Sequence, residues 1–302
     1  MKLYYALGGG AGHLARALAV GHTLGWDWHQ GHLLTNASWA GMLSLPMRFT
    51  LLPEEVQKQP KHFPKFLENF LSQHSFDEVY LDAFPAGLKG EWASLFRQLS
   101  ARFYYLARRL RWESYLPTLG QSSPYFHQAF LLEPLEPSHQ QFVENHAASV
   151  KQLMLHYPWV PLPPFFTKLQ AQAQAQDREI WLVVHSKPQP ELAELYEYAR
   201  ETAQMENKNP CFGIISEVTL PRVEPDTWQI SYFPAYALFS GADRIFSAGG
   251  FNTLQQLRQV SVPHHSLPFV RRFDDQFWRV AYHRRLRQGG ADIQGTEKPG
   301  NS

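Results

Sequence analysis

The chain has 302 residues, 44% of them hydrophobic and 18% charged, with a formal net charge of +1 and a single cysteine, Cys211. This length accommodates two domains of ordinary size, and a charge so close to zero points to neither nucleic acid nor a strongly acidic partner. One cysteine excludes an internal disulfide framework and suits a reducing cytoplasm.

Residues 3–7 read as a buried strand that follows a single lysine and stops at glycine, a first strand rather than a signal peptide. No apolar run in the chain reaches the length of a membrane span. Residues 8–12 form a tight glycine turn, and 13–24 carry apolar residues at helical spacing, with Leu14, Ala17, Leu18 and Leu24 on one face. Strands follow at 32–35, at 78–82 (ending in a loop through Phe84, Pro85 and Gly87) and at 102–106. Between 157 and 177 the alternation stops. Pro158, Pro161, Pro163 and Pro164 precede the biased run LQAQAQAQ, which reads as a short solvated helix in a linker. The alternation resumes with a strand at 179–185, a helix at 191–202 and a strand at 211–216. A short helix at 235–240, a strand at 244–247, a glycine turn with a helix opening near Asn252 and Thr253, a strand at 265–268 and a helix at 276–286 complete it. The polar tail from Gly289 is expected to be disordered. Strands alternating with helices imply parallel sheets covered on both faces. The expected architecture is α/β: two Rossmann-like domains facing each other across a cleft, at 1–160 and 179–288, joined by the linker 161–178 and followed by the tail 289–302.

The turn Gly8-Gly9-Gly10-Ala11-Gly12-His13 admits three readings. As a dinucleotide fingerprint it fails in register, because His13 stands where the third glycine belongs. The acidic residue expected at the end of the second strand is replaced by Asn36. As a plain turn it holds more glycine than packing needs. The third reading rests on a resemblance: the turn is similar to the acceptor-side loop of family 28 GT-B glycosyltransferases, whose glycine motif ends in Gly-His, which implies backbone N–H groups that meet phosphates or an acceptor and His13 in the cleft as general base or as a group that orients a hydroxyl. A histidine capping a helix is the bland alternative. Asp82, at a strand end, is either an acceptor contact, a second base or an ordinary strand-to-loop turn.

Gly249 and Gly250 open the helix carrying Asn252, Thr253, Gln255 and Gln256, and the unpaired amides of such a helix start suit a diphosphate. In order and spacing, residues 241–280 resemble the nucleotide-sugar half of GT-B glycosyltransferases, and among them family 28, which includes the N-acetylglucosaminyltransferase of peptidoglycan lipid-intermediate synthesis. The residues that carry the resemblance are Ala242-Asp243, Gly249-Gly250-Phe251-Asn252-Thr253, Val262-Pro263, Pro268-Phe269 and Asp274-Asp275-Gln276, with a second match at 8–20, where the family's glycine motif ends in Gly-His. The chain is short for that family.

The resemblance implies a donor site of Gly249, Gly250, Asn252, Thr253 and Gln256, with Gln256 where the family commonly has an acid for the ribose hydroxyls. It implies Asp275 and Gln276 on the hydroxyls of the transferred sugar, and Phe233, in the loop 231–234, beside the nucleobase. Asp274 and Asp275 also read as caps of the following helix. Arg271 and Arg272 are candidates for the diphosphate, since guanidinium forks fit phosphate. His185 and Ser186 end the first strand of this half and are candidates for phosphate contact. On the acceptor side stand Gly9, Gly10, Gly12 and Asp82, with His13 as the catalytic candidate.

Fourteen histidines offer no spacing that gathers a metal site; neither metal nor cofactor is expected, the nucleotide sugar being a co-substrate. Two basic-aromatic stretches, 58–70 and 104–115, suit a membrane surface or a lipid-linked acceptor; they equally describe amphipathic helices with snorkelling cations. The expected activity is therefore transfer of a sugar from a nucleotide diphosphate sugar, uridine-linked by resemblance, to an unknown hydroxyl acceptor, at the cytoplasmic face of a membrane or free in the cytoplasm. A non-catalytic nucleotide-sugar-binding or partner protein, and an epimerase or hydrolase of nucleotide sugars, remain alternatives on the same scaffold.

Overall fold

The computed structural model describes residues 1–8, 11–41, 47–120, 124–186 and 188–287. Gly9, Gly10 and the tail 289–302 lie outside these described residues.

Seven strands build the first sheet: β1 (Lys2–Ala6), β2 (Gly31–Thr35), β3 (Arg48–Leu51), β4 (Glu78–Asp82), β5 (Arg102–Ala107), β6 (Gln128–Leu131) and β7 (Val150–Gln152). Their order is β3-β2-β1-β4-β5-β6-β7, and every pair is parallel. The helices of this half are α1 (Gly12–Thr23), α2 (Glu54–Lys58), α3 (Phe63–Ser72), α4 (Trp112–Leu119) and α5 (Pro137–His146). Alternate residues of β1 feed the two faces: Leu3 and Tyr5 join Leu67, Phe70 and Trp92, while Tyr4 and Ala6 join Leu14, Ala17 and Trp26. Burial on both faces is why the central strands are continuously apolar.

The second sheet has β8 (Ile180–Val184), β9 (Cys211–Ile215), β10 (Trp228–Ile230), β11 (Arg244–Ala248) and β12 (His264–Leu267), all parallel in the order β10-β9-β8-β11-β12. Its helices are α6 (Pro164–Ala175), α7 (Gln189–Met205), α8 (Phe251–Leu257) and α9 (Gln276–Arg287), with a 3₁₀ segment at Ala235–Gly241. Trp181 and Val183 of β8 meet Leu192, Leu195 and Ala199 of α7, and Leu182 and Val184 meet Phe166 of α6 and Leu238. Residues 161–178 thus hold α6, entered through Pro163 and Pro164. Its Phe166 is fully buried and its Gln170 Nε2 donates to the Gly241 carbonyl at 3.0 Å.

Strand order reverses between β1 and β4 in the first sheet and between β8 and β11 in the second. Ligands of open α/β sheets settle at such switch points, outside the carboxyl ends of the strands.

Candidate active site

A cavity of about 510 Å³ lies between the carboxyl ends of the two sheets, within the size range of small-molecule sites. Its walls come from the turn after β1, the loops after β4 and β5, the ends of β8 and β9, the start of α8 and the segment before α9.

On the first-sheet side, α1 starts at Gly12, so His13 and Arg16 lie one turn apart on one helix face. Both reach Asp82 at the end of β4, across the switch point. His13 Nδ1 is 2.6 Å from Asp82 Oδ2, and Arg16 donates from Nε to Oδ1 and from Nη2 to Oδ2, the latter at 2.8 Å. Burial pushes the Asp82 carboxyl up, but Arg16 and His13 overcome this and hold it well below the usual carboxylate range. Burial lowers the His13 pKa, Asp82 opposes the shift, and Arg16 adds to it, leaving the imidazole below its ordinary value. The charge-assisted bond to Asp82 fixes the Nδ1–H tautomer and leaves a lone pair on Nε2. Arg16 Nη2 lies 3.1 Å from the same Nδ1, side by side with it, both donating to the carboxylate.

Gly8 makes room for this arrangement. A Cβ there would sit 1.9 Å from His13 Nε2. The Gly8 N–H donates to Asn36 Oδ1 at 3.1 Å, so Asn36 holds the turn rather than a ribose. Gly12 is the contact point with the second half: its carbonyl accepts from Asn252 Nδ2 at 2.8 Å, and a Cβ on it would sit 2.9 Å from that nitrogen.

On the second-sheet side, Ser186, Phe233, Gly250, Thr253, Gln256 and Gln276 line the cavity. Gln276 accepts from the Phe269 N–H through Oε1 at 3.0 Å. Asn252 also lines the cavity, but its amide bridges the two halves, accepting from Tyr157 Oη at 3.2 Å while donating to Gly12. His185 lines it with its Nε2 2.9 Å from Glu191 Oε2; burial lowers its pKa and Glu191 only partly opposes this.

Four candidates sit differently from their sequence reading. Asp82 is outside the cavity wall, its buried carboxylate held by His13 and Arg16 rather than open to an acceptor. Gly249 is outside the cavity wall: a Cβ there would meet Val280 at 2.6 Å, so α9 packs on it, and its carbonyl accepts from Arg279. Arg271 lines the cavity but its fork closes on both oxygens of Glu191. Asp275 is outside the wall too. It caps α9 by accepting from the Trp278 N–H at 3.1 Å and pairs with Arg109 at 3.2 Å. The acid of this cluster that faces the cavity is Asp274.

No family model matches the sequence, and no curated protein does. Solved structures do. Spinosyn forosaminyltransferase SpnP aligns with a TM-score of 0.59 at 15% identity, over 95% of this chain and 83% of that one. Glycosyltransferase SsfS6 of Streptomyces sp. SF2575, complexed with thymidine diphosphate, aligns with a TM-score of 0.59 at 11% identity, over 94% and 85%. Arabidopsis thaliana UGT89C1, complexed with quercetin, aligns with a TM-score of 0.60 at 13% identity, over 93% and 81%. The fold is that of the GT-B glycosyltransferases.

The two halves of this GT-B chain are joined at the cavity floor by a buried charge network. Arg279 of α9 grips Glu133 with Nε at 2.7 Å and Nη2 at 2.8 Å, and Nη2 also reaches Asp274 at 2.8 Å. Arg108, after β5, pairs with the same Asp274 oxygen. Burial pushes Asp274 up, and Arg279 and Arg108 overcome it, leaving its pKa well below the carboxylate range. Arg109 lies over the Trp278 ring at 4.1 Å, and Arg111 donates to the Arg271 carbonyl at 3.2 Å. The arginines of the basic stretch at 104–115 therefore lie along the interdomain seam, with Trp112 buried against His139. In the other stretch, Phe63 and Phe70 are buried and Lys58 pairs with Glu54 one turn away. Sequence reading missed Arg16 and Arg108, which line the cavity, and the buried pair Glu133 and Arg279 behind Asp274. Only Arg16 carried a signal, its spacing of one helical turn from His13. No helix among the described residues is long and apolar enough to cross a membrane.

Proposed function

We propose that the chain is a glycosyltransferase that moves a sugar from a nucleotide diphosphate sugar to a hydroxyl acceptor. The observation that carries this reading is His13, held by Asp82 at 2.6 Å on the cavity wall facing Gly250, Thr253 and Gln256 across the seam. The acceptor hydroxyl gives its proton to His13 Nε2 as its oxygen bonds to the anomeric carbon. The bond from that carbon to the diphosphate breaks, and its electron pair leaves with the diphosphate. Asp82 stabilises the imidazolium that forms. The open amides at the start of α8, with Thr253 and Ser186, receive the diphosphate. Gln276 and Asp274 receive the sugar hydroxyls, and Phe233 the base.

Gln256 stands on the ribose side. An amide offers one acceptor oxygen and two N–H donors where a carboxylate would accept from both hydroxyls. The resemblance of 249–253 to family 28 favours uridine diphosphate as the carrier and a metal-independent transfer. The amide at Gln256 keeps one rival open, a binding protein without turnover.

Incubation of the full chain with radiolabelled nucleotide sugars, alone and with lysate acceptors, separates the readings. Label moved only when lysate is present supports the transferase. Free sugar released without an acceptor assigns a hydrolase, and nucleotide binding without turnover assigns a binding protein. His13→Gln is expected to lower transfer by roughly 10²-fold or more, with nucleotide affinity kept; unchanged transfer removes the proposed base.

A further inference from the structure

Building on the transferase reading, we propose that the acceptor is an amphipathic hydroxy acid, with its carboxylate held by Arg272 and its hydroxyl presented to His13. The adjacent arginines of the segment before α9 fall on opposite sides of the seam. Arg271 turns to the second half, lying 5.8 Å from the Phe269 ring with its fork closed on Glu191 of α7. Arg272 turns to the first half: its guanidinium lies 4.6 Å from the Phe273 ring, which packs against Phe84 and Tyr115. The Phe273 carbonyl accepts from the Arg111 N–H at 2.9 Å, which ties this segment to the acceptor-side wall.

Charge balance singles out Arg272. Of the arginines lining the cavity, Arg16 is paired with Asp82, Arg108 with Asp274 and Arg271 with Glu191. Arg272 has no carboxylate partner among the described residues. Lying over a ring engages the face of a guanidinium and leaves the N–H fork at its edge free for an anion. One fork balances a single charge, which suits a carboxylate better than a phosphate dianion.

Between this cation and the base runs an aromatic shelf. The His13 ring is 6.4 Å from Phe84, and Phe84 is 5.7 Å from Phe273. Leu88 and Trp39 continue the apolar lining. A ligand lying along the shelf meets a proton acceptor at one end, apolar surface along its body and a guanidinium at the other end. Gly250 and Thr253, where the diphosphate is proposed to sit, belong to the second-sheet wall of the same cavity, whereas this shelf is built on Phe84 of the first half.

The test uses the full chain with saturating UDP and a matched pair of probes, 3-(4-hydroxyphenyl)propanoate and its primary amide, titrated calorimetrically. The acid is expected to bind about tenfold more tightly than the amide. Arg272→Gln should bring the two probes to within about threefold of each other while leaving UDP affinity within about twofold. The melting temperature of the variant, whose exposed side chain makes no ion pair, should match wild type. Equal binding of acid and amide to the wild type overturns the inference and leaves the transferase reading intact. A loss of UDP affinity in Arg272→Gln also overturns it, by assigning the arginine to the diphosphate. An Arg272-dependent preference for UDP-glucuronate over UDP-glucose overturns it by assigning the arginine to the donor sugar. No UDP binding, with the acid preference and its Arg272 dependence intact, sinks the transferase reading and leaves the anion subsite standing.

Discussion

With its Nδ1 proton given to Asp82, the His13 ring keeps a lone pair on Nε2, and that nitrogen lies over Gly8, where any side chain would collide with it. Substituting Gly8→Ala should therefore displace the imidazole. Steady-state kinetics are expected to show turnover reduced by about 10-fold to 100-fold with little change in nucleotide KM, since the donor side is untouched. Asp82 does double service. Asp82→Asn removes the charge that balances buried Arg16 and leaves that guanidinium unpaired. It is expected to cost about 3–5 kcal/mol of stability by denaturant titration, as breakage of a buried ion pair does. A loss well under 1 kcal/mol would mean that water already screens the pair.

Among the elements, the loop 83–91 is a tightly held part of the cavity wall on the first-sheet side. Ala83, Gly87 and Gly90 adopt φ values of 66°, 86° and 81°, so the backbone turns sharply after β4 to place Phe84 and Leu88 in the cavity. Glu91 anchors the turn, accepting from Tyr5 Oη, from the Leu88 N–H at 3.1 Å and from the Lys89 N–H at 2.7 Å. An amide has one acceptor oxygen for these three donors. Glu91→Gln should cost about 1–3 kcal/mol, and hydrogen exchange should quicken at the amides of Leu88 and Lys89 before it quickens in β1 or β4. Sequence reading found β1, β2, β4, β5, β8, β9, β11 and β12, most of them with apolar runs that fill both faces of their sheet. It placed no strand at β3, β6, β7 or β10: each has only three or four residues, too few to show a period-2 or continuous apolar signal, and β3 and β7 are also largely exposed.

At the scale of the molecule, Glu133, Arg279, Asp274 and Arg108 tie the two halves together in a region shielded from water. Glu133→Gln should destabilise the chain by about 3–5 kcal/mol, whereas the double substitution Glu133→Gln with Arg279→Met should recover a good part of that loss. A double-mutant cycle in denaturant reads the coupling directly. Stability should also fall in mild acid. Burial chiefly holds His139 and His264 down to about 3 and His32 and His283 down to about 4. These folded values lie below the unfolded imidazole value of about 6.5, so as pH drops the unfolded chain takes up protons first. Their contribution is complete above about pH 6.5 and is lost progressively as pH falls toward their folded values. Asp82 and Asp274, depressed below the carboxylate range, add a second loss once pH passes below about 4, the unfolded carboxyl value. The melting temperature measured from pH 8 to 3 should decline in those two stages.

The sequence by itself determined the class of architecture and several of the turns and strand ends that line the cavity. Parallel α/β order follows from strands buried on both faces, and glycine turns after β1 and β11 mark where the backbone bends along the cavity. His13, Gly250, Thr253, Gln256 and Gln276 were all legible, because each sits within a few residues of such a turn or strand end. Only the tertiary structure decided how the charges are matched. Asp82 meets His13 at a separation of 69 positions along the chain, and Asp274 meets Arg108 at a separation of 166. No local periodicity records a partner that distant. Pairing is settled when two sheets bring their strand ends together and each buried charge takes the nearest opposite one, which is how Arg271 came to be closed on Glu191 while its neighbour Arg272 was left open.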